Sequence, residues 1–184
     1  MPNTKGSNVV ELVRFLRANK DRARELLPSD LHRYLEARIE VIRWYPEADS
    51  VGLQRAAAAL LPVTEEDPYE AMGRINAQLH LKGVYRHLLE DARPEVMPVR
   101  VLALWSSVHD TGKMRVVQTQ PGRAQIDLND FEATSIEVCR STTGYIREAY
   151  RMSGVGNLGV RKTACRSGGD DCCSWLVTWT PDEQ

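Results

Sequence analysis

The chain has 184 residues, 42% hydrophobic and 27% charged, with 24 basic and 25 acidic side chains and a formal net charge of −1. That length suits one domain that can bury roughly 70% of its unfolded surface without disulfides, and the even charge balance argues against the basic face of a nucleic-acid protein. No run approaches the ~18 apolar residues of a membrane span. The opening MPNTKGSNVVELVRFL lacks the apolar core and cleavage site of a secretory signal. The expected compartment is therefore the cytoplasm, where cysteines serve as thiols or metal ligands more often than as disulfides.

Residues 1–7 read as a flexible tail, followed by a single domain over 8–184 with a helical part over 8–110 and a ββαββ part over 111–182. Ser7 is placed to cap a helix from about Asn8 to Lys20, whose Val9, Leu12, Val13 and Leu16 recur at helical spacing. A second short helix over Asp21–Leu27 stops at Pro28, and Ser29 caps a third through DLHRYLEA. The segment RIEVIRWYP reads as a short strand or extended connector, because Tyr45 precedes Pro46 and is pushed out of the helical region. Helix returns over Glu47–Leu61, with alanines at 56–59, and ends at Pro62. An oxygen cap at Thr64, acids after it and Pro68 start the next helix, which passes Met72, Ile75 and Leu79 before bending at Gly83. Arg93 and Pro94 break the segment, and residues 95–109 form an apolar helix with Val99, Leu102, Trp105 and Val108 on one side.

From Lys113 the periodicity changes. Strands over Lys113–Gln120 and Ala124–Leu128 flank a Pro121-Gly122 turn. A long helix over Phe131–Met152 follows, capped by Asn129 or Asp130, and then two strands over Leu158–Arg166 and Cys172–Thr180. The order predicts an α+β fold, a helical N-terminal half packed with a roughly four-stranded antiparallel sheet in ββαββ order.

Strand alternation gives the cysteines a geometry. If residues 167–171 form the last loop, Cys165 and Cys173 face each other on the face that carries Trp175, Val177 and Trp179. The long helix is expected to cover that face and to bring Cys139 to the pair. Three converging thiolates suit Zn²⁺ in a structural site; a redox disulfide and plain packing of buried thiols are the alternatives. Trp105, Tyr145 and Trp175 are candidates to line an apolar ligand pocket, with core packing as the alternative. His80, His87 and His109 read as structural histidines. No nucleophile–base spacing, phosphate loop or dinucleotide fingerprint stands out, so no catalytic residues are assigned and an enzyme is not expected.

The stretches VCRSTTGYIREAYRMSG and GVRKTACRSGGDDCCSWLVTW resemble the end of 4-vinyl-reductase-like domains, small-molecule sensors found in regulators of aromatic degradation. The resemblance rests on Cys139 ahead of Thr143, Gly144 and Tyr145, on the Cys165–Cys173 hairpin, and on the Gly-Asp-Asp turn before the final strand. It implies a zinc site on Cys139, Cys165 and Cys173 with a glutamate three residues before the first hairpin cysteine. That position is Lys162 here. A protonated lysine cannot be that ligand, so Cys172, a backbone shift or water would have to supply the fourth contact.

The helical half, with RELLPSDLHRYLE and WYPEADSVGLQRAAAALLP, is similar to haem-NO-binding-like proteins and a related bacterial family, which share a fold with those reductase-like domains and with a membrane-trafficking tether subunit. The Tyr-x-Ser-x-Arg motif of the haem-binding members is missing, so no haem is expected.

Together these resemblances imply a non-enzymatic sensory or regulatory domain. It would bind a small apolar or aromatic ligand, act as a homodimer and signal through another protein, with no nucleic-acid or membrane partner. The alternative is a protein-interaction or scaffolding module of the same fold without a ligand pocket.

Overall fold

The computed structural model of the chain describes residues 1–90, 93 and 96–180, leaving aside the side chains of 118 and 119. The elements run β1 (Asn3–Lys5), α1 (Gly6–Ala18), α2 (Lys20–Leu26), a 3-10 turn at Ser29–Leu31, α3 (Arg33–Glu36), β2 (Trp44–Pro46), α4 (Glu47–Leu60), α5 (Pro68–Lys82), a 3-10 turn at Arg86–Leu88, α6 (Met97–Val108), β3 (Lys113–Gln120), β4 (Arg123–Asn129), α7 (Ile136–Met152), β5 (Gly156–Ala164), a 3-10 turn at Arg166–Gly168 and β6 (Cys173–Thr180). The fold is α+β, with a four-stranded antiparallel sheet in the order β3-β4-β6-β5 and a separate β1-β2 pair. Among the described residues no helix is long and apolar enough to cross a membrane. The chain break expected at Pro94 and the helix start expected at Glu95 fall outside the described residues.

Three local expectations are corrected. Residues 3–5 are not a tail. They pair with Trp44–Pro46 in antiparallel register, Thr4 is fully buried, and both the backbone N–H and the side-chain amide of Asn3 donate to the Asp110 carboxylate at 2.6 and 2.7 Å. The partners lie about forty and a hundred residues away, so nothing in the local sequence announces them. The long helix begins at Ile136, not Phe131. Ser135 is the residue that caps it, its hydroxyl accepting from the Val138 N–H at 3.2 Å, while Asp130 takes a positive φ of 54° and turns the chain out of β4. Likewise Asp67, not Thr64, caps α5, accepting from the N–H groups of Tyr69 and Glu70.

Two apolar cores result. One joins α1 to α4 around Val9, Val13, Leu16, Leu31, Leu35 and Leu53. The other packs α7 on one face of the sheet, with Val138, Ile146, Ala149 and Tyr150 against Ile126, Leu128, Trp175 and Val177. α5 crosses α7 at backbone contact. A Cβ on Gly73 would lie 1.9 Å from the Ser141 carbonyl oxygen, and one on Gly144 would lie 2.0 Å from that of Glu70. Ion pairs flank the crossing, Arg140 with Asp67 at 2.7 Å and Arg147 with Glu70.

Because the two backbones cannot separate without opening both cores, Gly144→Ala should destabilise the fold by about 1–3 kcal/mol despite alanine's better helix propensity. Gly156→Ala, where the added methyl meets nothing within 4 Å, should change little. Thermal or denaturant unfolding of both variants checks this; equal stability would mean that the crossing tolerates a side chain.

Candidate functional site

Two places in the molecule gather chemistry. The first joins the α7 cysteine to the terminal hairpin. Cys139 Sγ lies 3.5 Å from Cys173 Sγ and 3.7 Å from Cys165 Sγ, and the three sulfurs fall within 4.8 Å of one another. None of the four cysteines forms a disulfide. Cys172 points away from the trio and contacts the Ser174 hydroxyl at 3.3 Å. The β5–β6 register pairs Lys162 with Trp175 and Ala164 with Ser174, so an irregularity falls between Lys162 and Ala164. This bulge swings Lys162 onto the tryptophan face. Its Nζ sits 3.9 Å from the centre of the Trp175 ring and is buried without a hydrogen bond of ordinary geometry. It therefore acts on the sulfurs as a nearby charge.

The thiols respond as a pair. The Cys139 S–H donates to Cys173, which together with the Arg166 backbone N–H and the Lys162 charge outweighs burial and holds the Cys173 thiol down at about 5. The same hydrogen bond, reinforced by burial, pushes Cys139 up. The cluster is thus a thiolate held by a thiol and an ammonium group. Three sulfurs at this spacing can hold a soft cation, but the fourth position carries positive charge in place of an acid.

The second place is the seam between the two cores. A cavity of ≈80 Å³ lies there, lined by Thr4 and Asn8 from the first strand and helix, Glu47, Ser50 and Gln54 from α4, His80 from α5, Trp105 and His109 from α6 and the residue after it, and Tyr145 from α7. Val101, Leu104, Val108, Met114, Val138 and Ile146 complete the wall, which mixes polar and apolar side chains. The His109 Nδ1–H donates to the buried Glu47 carboxylate at 3.1 Å, which fixes the tautomer and leaves Nε2 to accept from the Asn8 amide at 3.5 Å. Trp105 stacks on His109 with ring centres 3.9 Å apart. The His80 Nε2–H donates to the Ser7 carbonyl at 3.2 Å, and burial pushes the imidazole below its ordinary value, so Nδ1 is a bare acceptor. That nitrogen, the Tyr145 hydroxyl and the Gln54 carbonyl oxygen are buried without partners. The His80 and Tyr145 rings lie 5.9 Å apart, and burial keeps the Tyr145 phenol protonated.

Of the residues expected to line a ligand pocket, Trp105 and Tyr145 border this cavity. Trp175 does not. It is fully buried in the sheet core, with its indole N–H donating to the Thr143 hydroxyl at 2.8 Å. Sequence reasoning missed His80, Glu47 and Gln54. The one signal was Trp105 and His109 four apart on a helix, which forces their rings onto one side.

No protein-family model matches the chain, and no curated protein matches its sequence. Solved structures do. An H-NOX structure from work on haem distortion in that family superposes with a TM-score of 0.69 at 11% identity, covering 98% of this chain and 97% of its own. An oxygen-binding H-NOX domain related to soluble guanylate cyclases, in its oxygen complex, gives 0.66 at 11%, covering 98% and 97%. An Fe(II) H-NOX protein from S. oneidensis gives 0.67 at 14%, covering 98% of both chains. At these identities the likeness establishes the fold, which is the haem-NO-binding one.

The expected cofactor set, a structural zinc and no haem, is corrected by these neighbours: the groups in their names are haem, Fe(II) and oxygen, and a missing sequence motif does not remove a fold from haem chemistry. The cavity residues do not fit a porphyrin in the present packing. Trp105 and His109 stack within the seam, both nitrogens of His109 are engaged, and ≈80 Å³ does not hold a group the size of a porphyrin.

Two measurements probe these sites. Lys162→Met should remove the counter-charge and lower the thiolate absorbance near neutral pH, with Cys173→Ser as the reference for its signal; unchanged absorbance would show that Lys162 does not hold the charge. Tyr145→Phe deletes a buried hydroxyl that has no partner, so unfolding stability should hold or rise by about 1 kcal/mol, and a clear loss would reveal a partner for that hydroxyl.

Proposed function

We propose that the chain is a sensory domain whose input is a small molecule held in the seam cavity and whose output passes through protein contacts. The observation that carries this is the set of buried polar atoms without partners around the cavity: the His80 Nδ1, the Tyr145 hydroxyl and the Gln54 carbonyl oxygen. Each such atom costs about 1–3 kcal/mol when left dry, and a ligand that hydrogen-bonds to it removes that cost. The haem-NO-binding fold supports the same reading, since a neighbour on it is named as an oxygen-binding domain. The cysteine trio supports the 4-vinyl-reductase-like branch of the fold, with Cys139, Cys165 and Cys173 as the structural clasp between α7 and the hairpin.

The cavity meets α1, α4, α5, α6 and α7, so its occupancy can favour one packing of the two cores over another. α7 is the element through which that choice spreads, because it touches both α5 and the sheet. Trp105 and Tyr145 are the ligand-facing aromatics in this reading, and the ligand is an apolar or aromatic molecule with a polar group. A cytoplasmic, non-enzymatic role through a homodimer or a separate output protein completes it. The interaction-module alternative has less support: the large exposed apolar residues are spread over many segments, and the groups among them, Val41, Ile42 and Trp44 before α4 and Ile75 and Leu79 on α5, are short.

A thermal-shift screen of small molecules tests the proposal. A true ligand at a hundredfold excess over its Kd should stabilise the chain by about 2.7 kcal/mol, a rise of several degrees, and the rise should be lost in His80→Phe and Tyr145→Phe. Hits that stabilise both variants as well as the parent would sink the cavity as the sensing site.

A further inference from the structure

An outer groove of ≈210 Å³ runs between α1, α4 and α5. Its walls are Leu12 and Phe15 from α1, Ala57 from α4 with Leu61 beyond its end, and Met72, Ile75 and Leu79 from α5. Ile75 and Leu79 are 42% and 45% exposed, so the groove opens to solvent. Four residues line both this groove and the seam cavity: Asn8, Gln54, Asn76 and Ser141. They come one each from α1, α4, α5 and α7, and form a polar collar between an apolar outer chamber and a mixed inner one.

The inner chamber specifies a head group. The His80 Nδ1 accepts only, because Nε2 carries the proton given to Ser7. The Tyr145 hydroxyl can donate. With the two rings 5.9 Å apart, a single hydroxyl between them would donate to His80 and accept from Tyr145, satisfying both buried atoms. A carboxylate would meet the lone pair of His80 and lie near the Glu47 carboxylate across the cavity, which repels it. The outer groove specifies a short apolar tail. It is too small for a protein helix, which needs anchor sites over several turns. Taken together the two chambers reach the lower end of the ligand-pocket range.

We propose that the groove and the seam cavity form one two-part site for a small hydroxyl-bearing amphiphile, an alcohol or phenol whose tail lies along α1, α4 and α5 and whose hydroxyl passes the collar to bridge His80 and Tyr145. The proposal rests on the seam cavity being the sensing site and adds the class of ligand and its way in.

Methyl NMR of the full chain titrated with 1-hexanol, and separately with hexanoate, tests it. Leu79 and Met72 report on the groove, and Val101 and Leu104 on the inner cavity. Hexanol should move both sets along one saturation curve, hexanoate should bind at least about tenfold more weakly, and His80→Phe and Leu79→Lys should each weaken hexanol by about tenfold or more. Leu79 is half exposed, so its variant keeps the fold. Inner methyls moving alone would leave the sensing cavity standing and overturn the two-part site. Groove methyls moving alone, equal binding of hexanoate, or hexanol affinity unchanged in His80→Phe would also overturn it. No movement of either set at millimolar probe would overturn both this site and the sensing cavity beneath it.

Discussion

The crossing of α5 and α7 governs the rest of the molecule. Gly73 and Gly144 each leave room only for a neighbouring carbonyl oxygen, so the two helices touch backbone to backbone. α7 is clamped on its other side by the sheet, and α5 faces back toward α1 and α4. The crossing thereby sets the distance between the two apolar cores, and that distance decides how large the seam cavity can be. Flanking ion pairs of Arg140 and Arg147 are partly exposed and worth little individually. Steric contact at the two glycines is the stronger constraint.

Fixed α7 also explains the cysteine–lysine cluster. Cys139 is carried on the rigid helix, and Cys173 opens β6, one of the two inner strands, so the 3.5 Å contact between them is imposed by the packing of helix on sheet. The bulge between Lys162 and Ala164 then turns an ammonium group inward over Trp175. A buried ammonium is tolerable only beside compensating charge and π density. The thiolate at Cys173 and the indole face supply both. The cluster joins α7 to the terminal hairpin by charge as well as by apolar contact.

The seam cavity has the opposite character. Three buried polar atoms without partners, the His80 Nδ1, the Tyr145 hydroxyl and the Gln54 carbonyl oxygen, gather here around one small volume. The Glu47–His109–Asn8 chain beside them is fully paired and stacked on Trp105. A satisfied network therefore holds one wall rigid while the facing wall keeps unused hydrogen-bonding capacity. That division suits recognition better than stability.

Much of the fold was legible in the sequence. The ββαββ order follows from period-two alternation at Lys113–Gln120 and Cys173–Thr180 and from the glycines and prolines between elements. The facing of Cys165 and Cys173, and the approach of Cys139, follow from strand phase and from the apolar face that a long helix must cover. Element starts were less legible, because Ser135 and Asp67 compete with neighbouring oxygens for the same capping role and the choice depends on where the helix docks.

What the sequence could not determine are the features made by distant residues meeting. The β1–β2 pair depends on Asn3 finding Trp44–Pro46. The inward turn of Lys162 depends on a one-residue bulge that reverses side-chain direction. The cavity depends on His80, Glu47, Gln54 and Tyr145 arriving from three helices. Local periodicity decides which residues form an element and which face is apolar; only the packed cores decide which polar atoms meet a partner and which are left without one.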